Sequence, residues 1–176
     1  MTFNPYAETP YADYMAQALA YFGRLGWRVE RHETAPVLRF ALQIDPQVWT
    51  CRLWLWQDRS RVVFHAAAPK PGPDADPDAL ASFVAEINLR LETGCFLFDV
   101  ETGDLGMRVG LDLGAAPLSD PLLHGLVGRG LTLVEQTAAP IGNLMAGKIS
   151  VDDAIKGWIE ADSADDVHVS YDPPPG

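Results

Sequence analysis

His32, His65, His124 and His168 are the side chains best suited to hold a transition metal, and their spacing does not suit one. No two stand at the i, i+3 or i, i+4 separation that brings ligands together on a helix, and no Cys-x-x-Cys accompanies them. They read as four unrelated histidines. Asp74, Asp76 and Asp78 have the alternate spacing of a calcium loop, but the position that needs glycine is Ala79, the bidentate-Glu position is Ala85, and Pro77 starts a helix. They read as a helix cap beside a solvated linker. Gly128-Arg129-Gly130 lies within a helical pattern with no strand leading into it, so it is not a dinucleotide fingerprint. No GxSxG, HExxH or phosphate-binding loop occurs. Asp99 and Glu101, like Asp152 and Asp153, could serve acid/base chemistry in principle, but they fall in a turn and at a helix start, where capping explains them. No catalytic constellation, metal site or cofactor is expected.

One stretch is not absorbed by such explanations: Cys51-Arg52-Leu53-Trp54-Leu55-Trp56. In a strand a residue and its second neighbour share a face. Arg52, Trp54 and Trp56 therefore point together, opposite Cys51, Leu53 and Leu55, and Arg39 or Val63 joins them from neighbouring strands, depending on register. Trp and Arg are the residue types in which binding energy concentrates. A sheet covered by helices needs only one apolar face, so the second must be covered by other parts of the chain, by a second subunit or by a ligand. The expected occupant is another polypeptide, either a second copy or a client.

The elements that position this stretch follow from periodicity. Thr9-Pro10 reads as the start of a helix running to about Arg24, with Tyr14, Ala18, Tyr21, Phe22 and Leu25 on one stripe. Four strands follow with short connections: Trp27 to Glu33, Val37 to Ile44, Val48 to Gln57 and Arg61 to Ala68. Such a series implies an antiparallel meander. Asp76 caps a second helix, Pro77 takes its first position, and the helix runs to about Glu92. Gly94 to Gly114 reads as a hairpin, with period-two apolar spacing on each side of Glu101-Thr102-Gly103-Asp104. A third helix opens at Pro117 to Pro121 and is broken by Pro140. Its Gly125, Gly128 and Gly130 each cost about 1 kcal/mol relative to Ala, which implies close approach to the sheet. Ser150 to Asp153 starts a last short helix, and Val167 to Tyr171 could form a short strand. The order predicts an α+β fold, α-ββββ-α-ββ-α-α, with about six antiparallel strands and helices mainly on one face. Phe40, Leu53, Phe64, Val84, Ile87, Phe96, Phe98, Leu111 and Leu126 are the predicted core.

The chain has 176 residues, 48% of them hydrophobic, and a net charge of −11. This is enough for one domain, read as residues 1–160, with an acidic, Pro-rich tail at 161–176. No apolar run approaches the roughly 18–20 residues of a membrane helix, and the start lacks the pattern of a signal peptide. These features predict a cytoplasmic protein with reduced, buried thiols at Cys51 and Cys95. The acidity argues against nucleic-acid binding. Charge is uneven: residues 20–65 hold seven Arg against four acids, a local +3, while residues 149–176 hold seven acids against Lys156, a local −6.

The run from Ala81 to Ile155 resembles the YbjN-like family of bacterial proteins. The resemblance is carried by Asn88-Leu89-Arg90-Leu91, Thr93-Gly94-Cys95-Phe96-Leu97-Phe98-Asp99, the acidic turn, Arg108-Val109-Gly110-Leu111-Asp112-Leu113, a long helix, and Gly147-Lys148-Ile149-Ser150-Val151-Asp152-Asp153-Ala154. It implies a fold similar to type III secretion chaperones, small acidic cytosolic proteins, commonly dimeric, that hold protein segments. YbjN-like members are also described as sensory transduction regulators. The family brings no catalytic residues. The functional expectation is a non-enzymatic, chaperone-like or regulatory protein-binding module. The alternative is a small-ligand-binding protein or enzyme with a pocket between sheet and helices.

Overall fold

The alternating stretches of the sequence build a six-stranded antiparallel sheet in a computed structural model that describes residues 13–44, 46–73 and 75–165. The elements are α1 (Tyr14–Arg24), β1 (Glu30–Arg31), β2 (Val37–Ile44), β3 (Gln47–Trp56), β4 (Arg61–Ala67), α2 (Pro77–Asn88), β5 (Cys95–Phe98), β6 (Leu105–Asp112), α3 (Asp120–Met145) and α4 (Val151–Asp165). The strand order is β1-β2-β3-β4-β6-β5. The meander thus occupies one side of the sheet. The hairpin is added with its second arm inward, and α2 carries the chain across to the far edge.

Register turns the period-two pattern into two sheet faces. On one face Leu38, Leu53, Phe64 and Val109 lie side by side across four strands, and Phe40, Cys51, Ala66, Met107 and Phe96 form the next row. All of these are buried and belong to one cluster with residues from all four helices, among them Phe22, Phe83, Leu133 and Trp158. Helices therefore cover this face. Burial in this apolar layer pushes the Cys51 thiol up to about 12, so it stays protonated. Cys95 differs from the expectation. It lies on the opposite face and is only half-buried, so the two thiols are separated by the sheet and cannot bond to each other within one chain.

α3 is positioned by one glycine. A Cβ on Gly130 would stand 2.2 Å from Phe64 Cδ1, so the helix backbone rests directly on that ring. Gly125 and Gly128 face open space, and close approach explains only one of the three. Pro140 does not break α3, contrary to the sequence expectation; the helix continues to Met145. Proline removes one helical hydrogen bond, and two features hold the last turns in place. Ile141, Leu144 and Met145 are buried in the core, and Gln47 Nε2 donates to the Ala138 carbonyl at 2.9 Å.

Other boundaries shift for local reasons. The first strand shrinks to Glu30–Arg31 because Trp27 is held back by α1: its N–H donates to the Phe22 carbonyl at 3.0 Å and its indole stacks on Phe22. Leu25 is exposed rather than on the buried stripe. Asp76 caps α2 and Pro77 leads it, as read from the sequence, but the helix stops at Asn88. There the Asn88 side chain turns to the neighbouring strand. Its amide donates to the Phe96 carbonyl at 2.9 Å and its oxygen accepts the Phe96 N–H at 2.8 Å. α4, started by Ser150, whose hydroxyl accepts the Asp153 N–H, runs on to Asp165. Phe98 and Leu111, expected in the core, are half-buried at the outer ends of the hairpin strands. Asp13 caps α1; the Thr9-Pro10 start and the Val167 to Tyr171 strand lie outside the described residues.

Candidate functional site

The face opposite the helices carries the residues singled out from sequence. Arg52, Trp54 and Trp56 of β3 project from it together, and register places Arg39 of β2 directly beside Arg52. Trp54 lies between Val37 and Val63 in the neighbouring strands. Those two valines are buried, yet neither belongs to the helix-covered core. A second, smaller apolar patch therefore exists on this side, centred on Trp54. The Trp54 and Trp56 rings stack with centroids 5.4 Å apart and planes 18° from parallel. The Arg59 guanidinium sits 5.8 Å from the Trp56 ring centroid and extends the stack by a cation–π contact.

Sequence reasoning missed three members: Arg59, His65 and Arg108. Register lines up Arg39, Arg52, His65 and Arg108 across β2, β3, β4 and β6, with Cys95 at one end and Glu30 at the other. The signal for His65 was present in the sequence, since Arg61, Val63 and His65 alternate with Val62, Phe64 and Ala66. Membership of Arg108 depends on β6 pairing with β4, which periodicity does not reveal. Within the strands of this face four arginines (39, 52, 61 and 108) meet two carboxylates (Glu30 and Asp112), a net +2 on a chain of −11; Arg59 adds a cation beside Trp56, and Asp99 and Asp104 add two carboxylates at the hairpin turn. Asp112 is engaged by Arg61 through two contacts, at 2.5 and 3.2 Å, and this bonding holds its carboxyl below the usual range. Among the described residues no carboxylate ion-pairs with Arg39, Arg52 or Arg108.

Two open depressions flank Arg108 on this face, one reaching Trp56 and Val63 and the other reaching Arg52 and His65. The space between sheet and helices is filled by aromatic and aliphatic side chains, including fully buried Trp49, Phe64, Phe83 and Trp158. The other two described histidines have partners elsewhere: His32 Nδ1 accepts the N–H of Ala35, and the His124 ring bonds the Tyr21 hydroxyl.

His65 is the titrating group of the row. Burial, then the charges of Arg52 and Arg108, hold its imidazole below the usual histidine range. Asp99 and Asp104 line the same depression; Asp104 is held by Lys70 at 2.5 Å and Asp99 caps the hairpin turn. In the unfolded chain His65 takes up its proton near the ordinary value of 6.5. The unfolded state therefore binds more protons just below that pH, and His65 favours folding above it and progressively less as pH falls. Wild-type protein should lose more stability between pH 7 and pH 5 than His65→Gln does, as read by urea unfolding across that range. Equal losses would mean that His65 titrates normally.

The class defined by this architecture is an α+β domain in which one antiparallel sheet is backed by helices on one face and leaves the other to a basic, aromatic surface. Solved structures share the fold. A chain of the ExsC–ExsE complex overlays with a TM-score of 0.51 at 20% identity, covering 69% of this chain and 87% of that one. YbjN from E. coli overlays with a TM-score of 0.51 at 14% identity, covering 86% of this chain and 92% of that one. The fold is YbjN-like, as the sequence resemblance implied. No family model and no curated protein matches the chain. No described helix is long and apolar enough to cross a membrane.

Proposed function

We propose that this chain is a non-enzymatic, chaperone-like or regulatory protein-binding module of the bacterial cytoplasm. Its working surface is the open sheet face carrying Arg39, Arg52, Trp54 and Trp56. One observation carries the reading: a stacked indole pair and three arginines without carboxylate partners among the described residues stand on a face that the helices leave uncovered. Folding alone gives no reason to place them there, whereas large aromatic and Arg side chains are what protein interfaces concentrate. The fold is also that of a chain found in a complex of two proteins, ExsC–ExsE.

The test is the double substitution Trp54→Ser, Trp56→Ser. Both rings are half-buried, so the variant should stay folded with a modest loss of stability. Proteins recovered with the wild type from native lysate should be lost from the variant. Unchanged recovery would remove this face from the function, and outright unfolding would show that the indoles serve the core.

A further inference from the structure

We infer that the open face takes an acidic segment of a partner protein, laid across the strands over Arg39, Arg52, His65 and Arg108. The inference rests on the preceding reading that this face binds polypeptide, and it specifies the chemistry of the partner. Charge complementarity carries it. Among the described residues the three arginines of the row lack carboxylate partners, while Arg61 is already paired with Asp112 and Arg59 lies between Asp58 and the Trp56 ring. Three cations aligned on a strongly acidic protein leave a site that an anionic segment would complete.

Spacing agrees with an extended segment. Strands lie about 4.8 Å apart, so the three steps from Arg39 to Arg108 span roughly 14 Å. An extended chain rises about 3.4 Å per residue, so carboxylates at i, i+2 and i+4 cover about the same distance on one side. In the parallel row two residues further along each strand, the half-buried Trp54 lies between the buried Val37 and Val63 and offers an apolar flank. A second copy of this chain fits poorly, because a two-fold contact through this face would set the arginine row against itself.

The experiment is calorimetric titration of the full chain with a blocked peptide of alternating Glu and Thr, its Gln-for-Glu counterpart, and an oligothymidylate of similar length. The Glu peptide should bind, the Gln peptide should bind at least about tenfold more weakly, and Arg52→Gln with Arg108→Gln should cost the Glu peptide about tenfold, with affinity falling as salt rises. Circular dichroism and a denaturation midpoint check that the variant is folded. No binding of the Glu peptide, or tighter binding of the oligonucleotide, would overturn the inference. So would binding that appears only after removal of residues 166–176, since the occupant would then be the chain's own end. If Glu and Gln peptides bind equally and Trp54→Ser weakens both, the acidic partner is wrong while the polypeptide-binding face stands. If that substitution weakens neither, both readings fail.

Discussion

Phe96→Ala should lower the unfolding free energy by about 3–5 kcal/mol, one of the largest losses available to a single substitution in this chain. Phe96 is 2% exposed. Its ring fills the core row beside Met107, Ala66 and Cys51, and its backbone is fixed at both N–H and carbonyl by Asn88. The strand cannot easily collapse into the space a truncation leaves, so the cavity remains. Phe98→Ala should cost clearly less, about 1–2 kcal/mol, because its ring is already half in water. Chemical denaturation of both variants is the measurement. Equal losses would mean that β5 moves as a unit and that the Asn88 contacts do not hold it.

Gly130→Ala should be almost as damaging despite being a favourable change by helix propensity. Alanine gains about 1 kcal/mol over glycine within a helix. Here its methyl would stand 2.2 and 2.4 Å from two carbons of the Phe64 ring. That ring is fully buried, with Leu53 and Val109 beside it in the neighbouring strands. Either α3 moves off the sheet or the ring leaves its rotamer, and overpacking of this kind costs several kcal/mol, for a net loss of about 2–3. Phe64→Leu should relieve it. In a double-mutant cycle the pair should cost less than the sum of the two single changes. An additive result would show that the contact is not shared.

What could be read from sequence divides along the range of the interactions. β2 was found with its observed bounds, and the α2 start at Asp76-Pro77 was correct, because alternation and capping are local. The opposition of Trp54 and Trp56 to Leu53 and Leu55 was likewise legible, and so was the companionship of Arg39, left open only by register. Register brought in His65 and Arg108, which lie on other strands and acquire meaning only from their neighbours across the sheet. Pro140 was misread because a residue that is unfavourable within its own helix is held there by Gln47, far away in sequence. Trp27 erred in the opposite sense: its stretch alternates like a strand, but its ring is committed to α1 and β2.

The bidentate grip of Asn88 on Phe96 has a meaning beyond local stability. A strand at the rim of a sheet offers its outward N–H and carbonyl groups to any passing chain, and a continued ladder is the first step toward runaway association. β5 has four residues, so its outward side is short, and one residue on it is already saturated by a side-chain amide that imitates a neighbouring strand. Asn88 thus acts as a stopper. It terminates the sheet chemically at that rim and makes it a poor template for further copies, so a surplus of this protein can accumulate without its β5 rims zipping together.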